Sequence, residues 1–142
     1  DLLSSFGNVI VNYVSMYNPD KRAQQLSQTV KKAIISHYSD PNFEIGSHLQ
    51  ELPFSEDYII KCFKKDFGLT PHKYLTKVRL HCAARLLEHS ADHNISEIAV
   101  TSGFKDPLYF SRLFKREYGV APSHYLSDNP VFIIEDPDSL KI

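Results

Sequence analysis

No stretch of this chain approaches the ~20 consecutive apolar residues that a membrane span needs. Nor does a charged stretch followed by an apolar core mark a secretory leader. Cysteine is scarce, with only Cys62 and Cys82. Both fall inside expected helices among apolar neighbours, which points to reduced, buried thiols and a cytoplasmic location. No cysteine pair has zinc spacing. A glycine-rich phosphate loop, a nucleophile elbow and a convincing carboxylate pair are all missing, so the expectation is no enzyme, no cofactor and no metal. His89 and His93 stand four apart with Asp92 between them, but residues 90–94 read as a loop, so the pair need not share a helical face. No β-rich stretch is present. Net charge is also small, −1 over 142 residues.

That small total hides an uneven distribution. From Lys61 to Arg79 there are six basic residues and one acid, Asp66. From Lys105 to Glu117 there are four basic residues and two acids, whereas the stretch after Leu126 has four acids and one lysine. An apolar content of 42% with 12% aromatics is enough to build a core. The chain begins at Asp1 rather than Met and enters helical periodicity at once, as expected of a piece of a longer protein.

One pattern occurs twice. YIIKCFKKDFGLTPHKYL starts at Tyr58 and YFSRLFKREYGVAPSHYL at Tyr109, aligned without a gap at an offset of 51 residues. Seven of 18 positions are identical: Tyr58/Tyr109, Phe63/Phe114, Lys64/Lys115, Gly68/Gly119, Pro71/Pro122, Tyr74/Tyr125 and Leu75/Leu126. A repeated supersecondary unit sets the architecture.

Periodicity and punctuation place the elements around it. Leu2, Leu3, Phe6, Val9, Ile10, Tyr13, Val14 and Tyr17 form one apolar stripe, expected to pack within the chain, with dimerisation as the alternative. Asn18-Pro19 breaks that helix, and Asp20 is the expected cap of the next, which carries Leu26, Val30, Ala33, Ile34 and Tyr38. A short helix fits residues 44–51. Ser55 caps a helix that Gly68 closes, and Thr70-Pro71 opens a long helix over 71–89. Its expected stripe is Tyr74, Leu75, Val78, Cys82, Leu86 and Leu87. A short helix over 95–102, a Gly103-Phe104 turn, and a helix capped by Asp106 and closed by Gly119 repeat the theme. Pro122 starts a last short helix through Tyr125 and Leu126. Val131–Ile134 fits a strand or a docked tail.

Short helix, tight turn and longer helix make a helix-turn-helix, whose second helix enters the DNA major groove. Ile59, Cys62, Phe63 and Phe67 form the apolar face in one copy, and Phe110, Leu113, Phe114 and Tyr118 in the other. Opposite them lie Asp57, Ile60, Lys61 and Lys64, then Leu108, Ser111, Arg112 and Lys115, at i, i+3, i+4, i+7 spacing. Arg112 can fork onto guanine, with Lys61 doing so less rigidly, and Ile60 and Leu108 can meet thymine methyls. Asp57 can accept from a cytosine amine. Lys64, Lys65, Lys115 and Arg116 suit phosphate, as do Lys105 and the helix start at Ser55.

GFKDPLYFSRLFKREYGVAPSHYL, from Gly103 to Leu126, closely resembles the signature of the arabinose-regulator (AraC/XylS) family of bacterial transcription factors. FSEDYIIKCFKKDFGLTPHKYLTKVRLHCAARLL resembles the family's other half. The resemblance covers residues 42–126. It implies an all-α fold: two helix-turn-helix subdomains joined by a long linker helix, here preceded by two amphipathic helices. The implied division is leading helices at 1–41, a first unit at 42–70, linker helix at 71–89, a second unit at 90–126 and an acidic tail at 127–142. It further implies sequence-specific regulation of transcription, with both recognition helices in successive major grooves of double-stranded promoter DNA. Base contacts carried over by position are Asp57, Ile60, Lys61, Leu108, Ser111 and Arg112. Expected partners are promoter DNA, RNA polymerase, an N-terminal sensor domain absent from this chain, and a second copy in a homodimer. The first unit departs from the pattern, with Pro53 where the family turn has glycine and Leu49 where its short helix has alanine. Its spacing to the recognition helix is one residue shorter. The competing reading is a helical protein-interaction module without DNA binding, its contacts the leading stripe and the acidic tail.

Overall fold

The computed structural model describes residues 2–7, 18–89 and 94–125. All regular structure among them is helical: α1 (Pro19–His37), α2 (Ile45–Gln50), α3 (Glu56–Phe67), α4 (Pro71–His89), α5 (Ile95–Thr101), α6 (Pro107–Tyr118) and a 3₁₀ turn at Pro122–His124. Residues 2–7 are helical as well. Caps and prolines decide where each begins. Pro19 and Pro107 sit in their helices' first turns, where a missing N–H costs nothing. Asn94 caps α5 by accepting from the Ser96 N–H at 3.0 Å. At α1 the cap is Asn18, not Asp20. The Asn18 side chain accepts from the N–H groups of Asp20 and Lys21, leaving Asp20 inside the first turn against the positive helix end.

Two cores form, one per unit. The first gathers Leu26, Val30 and Ile34 from α1, Ile45 and Leu49 from α2, Ile59 and Phe63 from α3, and Tyr74, Leu75 and Val78 from α4. The second gathers Leu80, Ala83, Ala84 and Leu87 from α4 with Ile98, Ala99, Phe104, Phe110, Leu113, Phe114 and Tyr125. So α1 belongs structurally with the first helix-turn-helix, because its buried face packs on α3 and α4.

The linker helix departs from its expected stripe. Leu80, Ala83 and Ala84 are buried, whereas Cys82 and Leu86 are only partly covered and line an apolar cavity. The reason is that α4 serves two cores on different sides. Its first half faces the first core, and its second half turns another face to the second. One periodic stripe cannot describe such a helix.

Of the leading stripe, Leu2, Leu3 and Phe6 are exposed. Val9, Ile10, Tyr13, Val14 and Tyr17 lie outside the described residues, as do Ser90–His93, Leu126 and the tail with Val131–Ile134. No helix among the described residues is long and apolar enough to cross a membrane. Both cysteines are free.

Two stability tests follow. Ile34→Ala empties a fully buried site on α1, so urea unfolding should show a loss of about 2–5 kcal/mol. A loss below ~0.5 kcal/mol, the usual range for surface changes, would detach α1 from the first core. His81 is buried, and burial first and the Arg85 charge second hold its imidazole below the ordinary value of 6.5. The unfolded chain takes up this proton near that pH while the native state resists it. Stability therefore falls as pH drops below about 6.5. Urea midpoints at pH 7 and pH 5 should differ less in His81→Gln than in the parent.

Candidate nucleic-acid interface

The repeat in sequence is a repeat in structure. Helices α3 and α6 each hold 12 residues. Each ends at a glycine in the left-handed region, Gly68 at φ 75° and Gly119 at φ 79°, conformations that side chains disfavour. Each glycine N–H bonds a lysine carbonyl four residues back, Lys64 or Lys115, at 2.8 Å. At the starts, the Ser55 hydroxyl accepts from the Tyr58 N–H at 3.3 Å, and an Asp106 carboxylate oxygen accepts from the Leu108 N–H at 2.9 Å.

Beneath each helix sits the same trio of rings. Phe63 lies 4.7 Å from Phe67 and edge-on to Tyr74 at 5.4 Å and 84°. Phe114 lies 4.6 Å from Tyr118 and edge-on to Tyr125 at 5.3 Å and 87°. Edge-to-face packing is directional. It therefore fixes each helix in rotation about its own axis and holds the opposite stripe toward solvent. Burial of its own phenol and the Glu88 carboxylate push the Tyr125 hydroxyl up to about 12. It stays protonated and donates to Glu88 Oε1 of α4 at 3.2 Å, tying the end of the second unit to the linker.

The outward stripes carry the expected residues. Lys61 and Arg112 are exposed at matching positions, and so are Asp57 and Leu108, the latter 71% exposed. The middle pair, Ile60 and Ser111, is half-buried, and Ile60 packs against the first core. Lys64, Lys65, Lys105, Lys115, Arg116 and Ser55 are exposed. The structure thus brings Asp57, Lys61 and Lys64 onto one face of α3, and Leu108, Arg112 and Lys115 onto one face of α6. Acids Glu56 and Asp57 occupy the first turn of α3, while α6 has no acid there. The second stripe is the more favourable to an anion.

The one-residue difference between the units lies in the turn. Ile45 and Leu49 match Ile95 and Ala99 at an offset of 50, whereas α3 and α6 match at 51. Lys105 is the extra residue. Phe54 stacks on Tyr58 at 5.7 Å in one unit, and Phe104 meets Phe110 at 5.1 Å in the other.

Two residues had no special place in the sequence reading. Arg79 counts there as one more positive charge, but its guanidinium turns inward to three backbone carbonyls. Lys77 pairs with Glu117 at 3.3 Å, joining the linker to α6 through two part-exposed side chains. Only the basic count touched them, because neither partner is near in sequence. Among the described residues, no group of three or more His, Cys, Asp or Glu is placed to hold a metal ion. His93 and Asp92 lie outside that set. The apolar cavity of about 540 Å³ between α1 and α4 includes no residue of α3 or α6.

A family model described as a helix-turn-helix domain matches residues 49–128. An uncharacterized HTH-type transcriptional regulator of Bacillus subtilis, YisR, is 40% identical over 74 residues, 52% of this chain and 25% of that protein. The HTH-type transcriptional activator RhaS of Salmonella arizonae is 49% identical over 59 residues, 42% of this chain and 21% of RhaS. Among solved structures, the C-terminal domain of the two-component response regulator yesN from Fusobacterium nucleatum superposes with a TM-score of 0.63 at 32% identity. That match covers 69% of this chain and 94% of that domain. The chain spans a quarter or less of the curated relatives it matches.

Removing the Asp106 carboxylate tests how the second stripe is held. Asp106→Ala should cost about 1 kcal/mol of stability. Amide exchange should speed up most at Leu108, whose N–H loses its acceptor. Unchanged exchange there would mean that the cap does not order the first turn of α6.

Proposed function

This chain belongs to the AraC/XylS family of helix-turn-helix transcription regulators, and we propose that it reads promoter DNA with both of its units at once. Helices α3 and α6 enter successive major-groove segments on one face of the duplex. The observation that carries this reading is the pair of ring-locked helices, each with a dry face on its own core and a cationic stripe outward. A solvated basic helix alone would be unremarkable. Two copies with matched caps, ring packing and stripe positions support a shared task.

Arg112 is the first base reader, since its planar fork suits guanine O6 and N7 in the major groove. Leu108 supplies apolar contact to a thymine methyl, and Ser111 a shorter contact from its half-buried position. In the first unit Lys61 contacts base edges, Asp57 accepts from a cytosine amine, and Ile60 shapes the floor. Lys64, Lys65, Lys105, Lys115 and Arg116 meet phosphates, with Ser55 adding the free N–H groups of its helix start. The family is one of DNA-binding regulators and not a class of enzymes. In the intact protein we place this chain in the cytoplasm beside a sensor domain, with RNA polymerase as the downstream partner and a homodimer as the form that binds.

Fluorescence anisotropy across a salt series tests the reading, using duplexes from the gene's own upstream region and a random control. Arg112→Ala should lose about 1–3 kcal/mol on the specific duplex and relax preference at one base pair. Equal loss on random DNA would remove its base-reading role. Lys115→Ala should weaken both duplexes alike and lower the salt slope by about one unit. A footprint should span about two helical turns on one face, because successive major-groove entries are ~34 Å apart. Absence of binding even at low salt would favour a protein-interaction module instead.

A further inference from the structure

Tyr38 is the C-cap of α1, and its backbone carbonyl has no partner within the helix. Arg79, on the linker, supplies one from 41 residues away. Its Nε donates to the Tyr38 oxygen at 2.8 Å, and its second amine donates to the Asp40 and Phe43 oxygens at 3.0 and 3.1 Å. One guanidinium thus gathers the negative end of α1 and the loop leading to α2. Burial acts on this guanidinium, with Asp40 opposing the shift.

The second unit touches the same carbonyl. Gly103, in the turn before α6, is buried with φ 96°. A Cβ there would overlap the Tyr38 oxygen and come within 2.6 Å of Arg79 Nε. The matching turn position in the first unit is Pro53, which is exposed. Glycine therefore stands only in the copy whose turn closes on another unit's backbone. First unit, linker and second unit meet at one oxygen atom.

We propose that the Arg79–Tyr38–Gly103 contact is the joint that sets the position of one recognition helix relative to the other, and so the spacing of the two DNA elements that the chain accepts. This rests on the two-unit reading above. Neither Arg79 nor Gly103 lies on an outward stripe, so they are positioning residues and contact no base. A rigid joint presents both helices already in phase. A loosened one lowers the effective concentration of the second helix once the first is bound.

Gly103→Ala sets one methyl against the Tyr38 carbonyl and strains a backbone held at φ 96°. Arg79→Lys keeps the charge but replaces the planar fork with a single ammonium. Circular dichroism checks that each variant keeps its helices. Residual dipolar couplings, measured without DNA, then show whether both units share one alignment. The parent should fit a single alignment and the variants two. On duplexes carrying both footprinted elements, the variants should bind about tenfold to a hundredfold more weakly. They should also tolerate a spacing one base pair longer or shorter, which the parent rejects, while binding a duplex with one element as the parent does. A parent needing two alignments would overturn the joint even if both variants unfold. So would variants that keep one alignment and the parent's spacing preference. A footprint from one unit only would instead sink the two-unit reading, and the alignment data would still decide the joint.

Discussion

The edge-to-face contact of Phe63 on Tyr74, repeated by Phe114 on Tyr125, is the interaction on which the orientation of α3 and α6 depends. An amphipathic helix on a greasy core can roll, because aliphatic packing is weakly directional. Rings set edge to face cannot roll without losing the contact. Phe67 and Tyr118, one turn on, complete each trio and extend the lock to the end of the helix. Gly68 and Gly119 then reverse the chain so that Tyr74 and Tyr125 fall beneath the helix just finished. The direction in which Lys61 and Arg112 point is thus decided on the buried side.

The linker helix carries the second constraint. It contributes to both cores, so neither unit can turn freely without disturbing packing in the other. Apolar contact alone leaves the angle between the units soft. Polar ties add direction: Arg79 to three carbonyls, Lys77 to Glu117, and the Tyr125 hydroxyl to Glu88. The Lys77–Glu117 pair is part-exposed and is worth little by itself. The Arg79 cluster is more telling, because it satisfies the Tyr38 carbonyl that the end of α1 would otherwise leave bare. Electrostatics divides in the same way. A net charge of −1 suits no nucleic acid as a total, yet the stripes on α3 and α6 are locally cationic.

Much of this was legible in the residues. Ser55, Asp106, Pro71, Pro107, Gly68 and Gly119 mark helix ends through local chemistry, and each acts where it reads. The doubled motif exposes the two-unit plan, because like residues meet like environments in both copies. The short first turn was visible as a missing residue and appears as the offset of 50 against 51. Less was legible where two explanations compete locally. Asn18 and Asp20 can both cap a helix, and Pro19 in the first turn settles it for Asn18. Ile60 reads as an outward residue by spacing, yet its size draws it half onto the first core.

By itself, then, the sequence determined the helices, their ends, the dry and wet faces of α3 and α6, and the repeat that relates them. These depend on residues within a turn or two of one another, so short-range sterics and hydrogen bonding suffice. Tertiary structure alone decided that α1 joins the first core, that the linker helix buries two faces, that Leu2, Leu3 and Phe6 stay exposed, and that Arg79 turns inward. Those outcomes depend on which surfaces meet across tens of residues, and no periodicity records that. Gly103 shows the boundary between the two. Its place in a turn is plain from the sequence and its φ of 96° already disfavours a side chain, but the sequence does not show that a carbonyl oxygen 65 residues earlier also closes the space a Cβ would need.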